Sequence, residues 1–456
     1  MRGPGSSFLT GKTIDTSPGR ALSGGTVMTS PPPSKLSQRQ QIYPPQFAEA
    51  LMEVWRSMED ASGLPGIGCL TTILDTLYQA SFLREEGLPV RCRVIMADPG
   101  DWKQGEGPPA GFHVLAFAEP RPFNVQEIRK LAPAVSYYRA LLAVHYNRST
   151  GTHIWGVVES GARWVNRVDG GRFLGAPLPP HLVVHVLGPG RLLTGCGYQR
   201  LLELEGGRIQ ETGFDPFKSK WLPARFRPVR DWLQQRLVDA HVDGADVDGS
   251  FISLMAQNVV RRILSIVRQR GHGGMLIFVP LELKASGALD RWLRIRCPLA
   301  PTSSTKRFSE LMFRVMSRMS IVGHTHGVKN VKWEDYQEFE DPVLAEIDEA
   351  FLELANLFAD FMNVDGALVV SEQFEVMGFG AEVMGEEPVM AVHRALDLEA
   401  NETVEERSDN LGTRHRSAYR FVMMVPSSVV AVISQDGSIS FVANKDDRVV
   451  YWPYLP

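Results

Sequence analysis

The residues best suited to chemistry in this sequence include a short motif in its C-terminal third, Asp365-Gly366-Ala367. The motif follows a strongly patterned helical segment and precedes the apolar run Leu368–Val370. An Asp-Gly pair at a helix–strand junction is by itself usually only a turn. Its functional weight therefore depends on what else the fold brings to the same place.

A second motif, Thr413-Arg414-His415-Arg416, follows Leu411-Gly412 and opens a predicted helix with Thr413 as its N-cap. Backbone N–H groups and the helix dipole already favour an anion at such an end. Cationic side chains there oppose the dipole, so their presence favours a polyphosphate, which arginine can hold with two parallel hydrogen bonds. A solvated basic cap remains the alternative. The apolar positions that continue this helix are Ala418, Phe421, Val422 and Val425.

A third candidate is Ser434, which ends the run of β-forming residues Val429–Ile433. Asp436-Gly437 then predicts a tight hairpin turn before a second run, Ser438–Val442. Ser434 is either a turn residue, the commoner role for a serine at this place, or a hydroxyl that faces the pocket. The sequence leaves both roles open.

The elements that would position these motifs are predicted from apolar periodicity. Apolar residues at helical spacing predict a helix over 250–270, ended by glycines, and Met275–Val279 predicts a short apolar strand. A strong amphipathic helix is predicted from about Val343 to Phe361, directly before the first motif. The C-terminal part is therefore expected to be α/β, with a mixed sheet flanked by helices.

Between these helices, 298–340 is predicted to be an insertion. It contains a basic helix over Phe308–Met319, which is more often a solvated face than a nucleic-acid site. Residues 320–340 are predicted to form a loop. His324 and His326 in that loop lack a recognisable third ligand, so a polar loop is favoured over a zinc site.

The remaining domain organisation follows from composition shifts along the chain. Residues 1–42 are rich in Gly, Ser, Thr and Pro and are predicted to be a disordered tail. Two helical patterns followed by short β-forming runs predict a separate mixed α/β domain over 43–215. A segment rich in Pro, Asp and Gly, 216–249, is predicted to be a linker. The C-terminal domain would then cover 250–456.

The overall composition excludes several classes of protein. The net charge of −4 argues against a general nucleic-acid binder, which would need a basic face. None of the four cysteines forms a CxxC pair, which favours reduced thiols. No uninterrupted apolar run approaches the roughly 18–20 residues of a membrane-spanning helix, and no signal peptide is recognisable. A cytoplasmic protein is expected.

Taken together, the C-terminal motifs resemble the diadenylate cyclase (DAC) family. Asp-Gly-Ala before a strand, then Leu-Gly-Thr-Arg-His-Arg at a helix start, then an apolar strand ending in Ser occur here in the family's order. The helix 250–270 and Gly274-Met275-Leu276-Ile277 look like that domain's first helix and strand. The resemblance covers about 250–450. Tyr78 to Gly87 resembles a presumed sensor family found in front of bacterial cyclase domains.

The resemblance implies synthesis of cyclic di-AMP from two ATP, with release of two pyrophosphates, by two domains that face each other. It implies a divalent metal, Mg²⁺ or Mn²⁺, held by Asp365 and by phosphate oxygens. The implied catalytic residues are Asp365, Gly366, Arg414, His415 and Arg416. Gly366 would let the ribose approach closely, and the arginines and histidine would hold the triphosphate. Further ATP contacts are implied for Ala367, Gly412, Thr413, Ser417 and Ser434.

Two functions from different classes therefore remain. The first is a cyclase regulated by an N-terminal sensor domain, which would respond to a small-molecule or protein signal that the sequence does not identify. The second is a catalytically inactive protein that binds nucleotides or senses cyclic dinucleotides. The intact Asp365 and Arg414-His415-Arg416 favour the first, because a decayed site would be expected to lose its metal ligand early.

Overall fold

A computed structural model describes most of the chain. The described residues are 41–58, 63–102, 107–108, 111–137, 139–161, 178–211, 215–385, 388–408, 412–435 and 437–454. Almost all of the predicted tail, and with it residues 1–40, lies outside them, as do Leu411 and Asp436. Residues Arg39–Pro456 belong to one compact unit.

The N-terminal part of that unit is built on a mixed eight-stranded sheet. Its helices are α1 (Pro44–Arg56), α2 (Ile67–Ser81) and α3 (Val125–Leu131). Its strands are β1 (Arg84–Glu85), β2 (Leu88–Pro89), β3 (Cys92–Met96), β4 (His113–Pro122), β5 (Ala140–Asn147), β6 (Gly151–Glu159), β7 (Leu182–Gly188), β8 (Arg191–Cys196), β9 (Gln199–Glu205) and β10 (Arg208–Glu211). The sheet order is β10-β9-β8-β7-β3-β5-β6-β4, and β3 and β5 are its parallel pair. The predicted α/β character is confirmed.

Packing on this sheet follows the alternation of its strands. Leu142 and Val144 face a core that includes Leu51 of α1 and Leu74 of α2. The intervening strand residue Ala143 belongs to a smaller cluster with Trp155 and Leu178. Successive strand side chains point to opposite faces, so the two helices cover one face and leave the other to a smaller cluster.

The C-terminal part contains a second, nine-stranded mixed sheet. Its helices are α4 (Trp221–Arg225), α5 (Arg227–Asp239), α6 (Gly249–Arg270), α7 (Leu281–Ser286), α8 (Arg307–Thr325), α9 (Trp333–Glu338), α10 (Pro342–Met362) and α11 (Thr413–Met424). Its strands are β11 (Asp246–Val247), β12 (Gly274–Val279), β13 (Leu293–Pro298), β14 (Asn330–Val331), β15 (Ala367–Ser371), β16 (Val376–Val383), β17 (Ala391–Ala395), β18 (Thr403–Arg407), β19 (Val429–Ile433), β20 (Ile439–Lys445) and β21 (Arg448–Tyr454). The nine-stranded order is β13-β16-β15-β12-β19-β20-β21-β17-β18.

Helices cover both faces of this sheet. Leu276 and Phe278 of β12 face a large core formed with α6, α8 and α10. Ile277, between them, faces the opposite core, into which α11 places Phe421 and Val422. Every residue of β12 is buried, as expected for a central strand that is covered on both sides. The predicted mixed sheet flanked by helices is confirmed.

The segment 216–249, predicted to be a linker, is packed over its helical part. Phe217, Leu222, Val229 and Leu233 are buried in the same core as α6 and α10. The Phe217 ring meets that of Phe441 in β20 edge to face, with ring centroids 5.2 Å apart. The apolar residues between the prolines and charged residues of this segment therefore pack it against the C-terminal sheet.

The prediction of a loop over 320–340 is wrong for much of this segment, which contains helical residues. The helix α8 continues to Thr325, and α9 follows. Met319 and Val322 are buried and extend the apolar stripe that Met312 and Val315 begin. The spacing of these apolar residues supports the continuation of the helix beyond Met319.

The helix α6 is the single helix among the described residues that is long and apolar enough to cross a membrane by length and composition. Within its most apolar window, 61% is buried inside the protein. Ile263 and Val267 pack in the core of the C-terminal sheet. A core helix passes the same test of length and composition, and its burial here is that of a core helix.

Candidate functional site

Three neighbouring strands bring the first motif and the candidate serine to one edge of the C-terminal sheet. β12 pairs in parallel with β15, Leu276 opposite Leu368, and continuing this register places Gly273 beside Asp365. On its other side β12 pairs antiparallel with β19, Gly274 opposite Ile433, so Ser434 comes next to Gly273. With strands spaced by about 4.8 Å, the backbones of Asp365 and Ser434 are roughly 10 Å apart.

The second motif reaches the same edge through Arg414. Its Nη1 lies 3.2 Å from the point where a Cβ on Gly273 would stand. That point is also 2.8 Å from the Ile433 carbonyl oxygen and 3.1 Å from the Ser434 carbonyl carbon. Only a glycine, here with φ +73°, lets the backbone and the guanidinium approach so closely. The structure thus brings the Arg414 guanidinium and the backbone of Ser434 together at Gly273, and a Ser434 hydroxyl that faces the pocket stays a prediction.

Arg414 is half-buried, and within the described residues its side chain has no hydrogen bond and no ion pair. Guanidinium groups that leave bulk water are normally paired with an acid or bind an anion. Asp365, at the same edge, is exposed and equally lacks a described side-chain partner. Arg414 and Asp365 are thus a cation and a carboxylate that form no side-chain hydrogen bond or ion pair within the described part of the chain, and both can bind a ligand.

The helix α11, which carries the second motif, starts one residue earlier than predicted, because Thr413 was expected to be its N-cap. Thr413 is the first helical residue and Gly412 is the N-cap, which has no side chain to accept a first-turn N–H. The Arg416 N–H donates to the Gly412 carbonyl at 3.2 Å. The N–H groups of Thr413 and Arg414 precede that first intrahelical bond, so they remain available to an anion.

Gly366 has a structural requirement that the sequence did not show. Its φ is +114°, and a Cβ there would lie 2.6 Å from the Gly380 carbonyl carbon and 2.8 Å from the Ala381 carbonyl oxygen. The space beside this glycine is therefore filled by the backbone of β16. Close approach of a ribose stays a prediction, but the sheet by itself already demands glycine at this position.

The other predicted site residues lie around this edge. Ala367 is buried at the start of β15. Ser417 is half-buried in α11, where its Oγ accepts a hydrogen bond from Arg420 Nη2 at 3.3 Å. Arg420 also donates through Nη1 to the Gly385 carbonyl at 2.9 Å. Ser417 is thus part of a contact that fixes a neighbouring loop.

A polar cluster under α11 was missed by the sequence analysis. The ring of His415 lies 6.1 Å from that of Tyr419, and Tyr451 donates a hydrogen bond to Glu406 Oε2 at 2.7 Å. Burial raises the pKa of Tyr419 and of Tyr451, and the nearby Glu406 raises both further. Both hydroxyls therefore stay protonated at neutral pH. The residues of β17 and β18 do not alternate between polar and apolar, so no local pattern pointed to this cluster.

The described residues contain no group of three or more His, Cys, Asp or Glu side chains that could hold a metal by themselves. Asp365 supplies one free carboxylate. Mg²⁺ is typically bound through one or two carboxylates together with substrate phosphates and water. The donor set therefore fits a metal that arrives with a polyphosphate, and does not fit a closed structural metal site.

The fold and this edge define a two-part protein whose C-terminal α/β domain carries a candidate anion-binding site. Comparison with family models gives that domain a family. Residues 343–446 match DAC, described as "DisA bacterial checkpoint controller nucleotide-binding", and residues 59–159 match DACNV, described as "Probable sensor domain DACNV". The chain thus carries a DACNV sensor domain followed by a nucleotide-binding DAC domain, which confirms the resemblance. No curated protein and no solved structure matched the chain.

The DAC match includes both motifs and Ser434 but begins at α10. The strand β12 and the helix α6 lie before it in the chain, and Gly273 with them. The structure adds these elements to the domain, because β12 pairs with β15 on one side and with β19 on the other.

Proposed function

We propose that the chain is a diadenylate cyclase that joins two ATP molecules into cyclic di-AMP under the control of its N-terminal sensor domain. The observation that supports this most is the meeting of Arg414, Gly273 and Ser434 at the edge where Asp365 precedes β15. A cationic helix start and an exposed carboxylate lie at the same edge there. Phosphoryl transfer depends mainly on positioning and on neutralising charge, which such a pair supplies.

In the proposed reaction each 3′-hydroxyl attacks the α-phosphorus of the other ATP. Each attack forms an O3′–P bond, breaks the bond to the β-phosphate and releases pyrophosphate, while the hydroxyl proton leaves to solvent or to a nearby base. Arg414, Arg416 and the first-turn N–H groups of α11 would hold the triphosphate. His415 would join them from the same turn, and Ser434 would line the opposite side.

Mg²⁺ or Mn²⁺ bound between Asp365 and the phosphates would neutralise charge and lower the pKa of the attacking hydroxyl. Within this chain, Asp365 is exposed and lacks a described partner, which suits a ligand that binds only with its nucleotide. The carboxylate would otherwise repel the triphosphate, so metal and ATP are expected to bind together.

One domain supplies one half of the proposed reaction centre. Cyclic di-AMP contains two AMP units, so its synthesis needs a second ATP, which a second copy of the domain would hold. We therefore propose face-to-face self-association, with the Asp365 edges of two copies opposed. A cytoplasmic location, where ATP is abundant, fits the proposal.

The test is incubation of the full-length protein with ATP and either Mn²⁺ or Mg²⁺, followed by mass spectrometry for cyclic di-AMP. Asp365→Asn should lower product formation at least about a hundredfold, the scale of losing an electrostatic stabiliser of the transition state. A matched control is Asp360→Asn, an exposed carboxylate five residues earlier that pairs with Arg270 at 2.6 Å and should leave product formation within about twofold.

The same experiment separates the cyclase from an inactive nucleotide-binding protein. Binding of ATP without product, across both metals and across protein concentrations that allow self-association, would overturn the cyclase proposal. Product that forms equally well with Asp365→Asn would instead overturn the assignment of this residue.

A further inference from the structure

A buried carboxylate of the N-terminal sheet lies against the C-terminal domain. Glu203 in β9 has a fully buried side chain, and Arg191 Nη2 of the neighbouring strand β8 donates to its Oε1 at 2.8 Å. Arg268, near the end of α6, donates from Nη2 to both carboxylate oxygens at 3.0 and 3.1 Å. A carboxylate removed from water requires such partners, so Glu203 fixes both guanidiniums in place.

Both guanidiniums pack against the hairpin that carries Ser434. A Cβ on Gly437 would lie 3.1 Å from Arg191 Nη1 and 3.4 Å from Arg268 Nε. Gly437 closes this turn by donating its N–H to the Ser434 carbonyl at 3.0 Å. The Ser434 N–H in turn donates to the Ser438 carbonyl at 2.9 Å. The arginines therefore support the face of the turn on which Ser434 depends.

The same helix end also leads into the nucleotide edge. After Arg268 the chain leaves α6 through Gly271, whose N–H donates to the Arg268 carbonyl at 3.2 Å, and reaches Gly273. Gly273 contacts Ser434 and Arg414 as described above. Arg268 thus lies between Glu203 of the N-terminal sheet and two backbone segments of the site, one at Gly437 and one that leads to Gly273.

We propose that Arg268, held by Glu203, is a positioning residue for the nucleotide site, and that it makes the geometry of the Ser434–Gly437 turn depend on the N-terminal sheet. A movement of β9 that withdraws Glu203 leaves Arg268 without its carboxylate, and Arg268 then leaves Gly437, whereas Arg191 has a second ion pair, with Glu205 Oε1 at 2.8 Å. The inference deepens the proposed cyclase function and rests on it for its effect on catalysis. The structural coupling itself does not require that function.

The first test is hydrogen exchange of the intact protein, read by mass spectrometry on peptides that cover 429–445. Glu203→Gln and Arg268→Gln should each speed the exchange of the Ser434 and Gly437 amides at least about tenfold, because the turn loses its support. Arg314→Gln is the control. It removes an exposed pair with Glu346 at 3.5 Å, and should leave these amides within twofold of the parent protein. Unchanged exchange in both folded test variants would overturn the proposal.

The second test separates positioning from general damage to the fold. Gly437→Ala pushes a methyl group into the arginines, and Gly151→Ala is the matched control, since its φ of +82° is close to the +89° of Gly437 but a Cβ there meets nothing within 4 Å. Both substitutions should lower the melting temperature through backbone strain. Gly437→Ala alone should speed exchange at Ser434, and equal exchange in the two variants would contradict the proposal.

The third test is kinetic. Glu203→Gln should raise KM for ATP about tenfold or more while kcat falls less, whereas partial unfolding would lower the apparent kcat alone. A parent protein that makes no cyclic di-AMP defeats the proposed function, and the exchange experiment then still decides on the coupling. A parent that makes product, with Glu203→Gln identical to it in exchange and in KM, defeats the coupling and leaves the proposed function intact.

Discussion

The guanidinium of Arg414 lies against Gly273, although the two residues are 141 positions apart in the chain. This contact joins the start of α11 to the start of β12 and fixes the distance between the cationic helix end and the strand edge that carries Asp365. A side chain at Gly273 would occupy the space of the guanidinium and of the Ile433 carbonyl. The nucleotide site therefore depends on a glycine outside both motifs.

Gly273→Ala is expected to weaken ATP binding about tenfold or more, because its methyl group displaces Arg414 and with it a charge-assisted contact of about 1.5–3 kcal/mol. Calorimetric titration with ATP and Mg²⁺ measures this directly. Gly271→Ala is the control, since its φ of +69° carries the same strain but a Cβ there meets nothing within 4 Å. Similar affinities in the two variants would show that Arg414 does not depend on Gly273.

Arg414→Lys is expected to raise KM for ATP about tenfold to a hundredfold while leaving the fold intact. Lysine keeps the charge but loses the planar fork that binds two phosphate oxygens and packs on Gly273. Steady-state kinetics and a melting curve together check this. The control is Arg448→Lys, an exposed residue at the start of β21, which should change neither quantity. A KM that stays at the parent value would remove Arg414 from the phosphate site.

Much of the fold followed from local patterns. The helix before Asp365, the strand β12 and the hairpin after β19 were predicted from apolar spacing and turn residues, which act over a few positions. The two motifs were recognised because their residue types and order are specific. The sequence did not show that both motifs meet at Gly273, because this depends on the pairing of three strands that are far apart in the sequence.

The contacts between the two parts of the chain were equally hidden. Glu203 has the pattern of an ordinary charged strand residue, yet it is buried by Arg268, which lies 65 positions further on. A helical stretch over Val229–Val238 was predicted within 216–249, but its packing was not, although Leu222 and Leu233 are buried in the core of the C-terminal sheet. Burial of this kind is decided by tertiary packing, which a pattern over one segment does not contain.

A buried ion pair among the helices gives a prediction about stability. Arg262 Nη2 donates to Asp348 Oδ1 at 2.8 Å, and the buried Tyr336 hydroxyl donates to the same oxygen at 3.2 Å. Asp348→Ala leaves a buried guanidinium without its carboxylate, so it should lower the free energy of unfolding by about 3–5 kcal/mol. Urea denaturation measures the change. Glu346→Ala, which breaks only an exposed pair with Arg314, should cost about 1 kcal/mol or less.

Asp341 gives a prediction about pH. Arg318 Nε donates to its Oδ1 at 3.0 Å, and the Leu344 N–H donates to the same oxygen at 2.9 Å as the cap of α10. These bonds, that to Arg318 first, hold the pKa of Asp341 below its usual value of 3.8. A depressed folded pKa contributes stability that is fully present above the unfolded pKa and is lost as the pH falls through the folded one.

Asp341→Asn keeps an oxygen that can accept from the Leu344 N–H but removes the charge. It should therefore lower the free energy of unfolding at pH 6 by about 1–2 kcal/mol, the scale of a lost negative charge at a helix start and a lost, partly exposed ion pair. The difference from the parent protein should shrink below pH 4, where the parent loses the same contribution as Asp341 takes up a proton. Urea denaturation at pH 6, 5, 4 and 3.5 tests both statements. A difference that stays constant over this range would mean that the charge of Asp341 does not stabilise the start of α10.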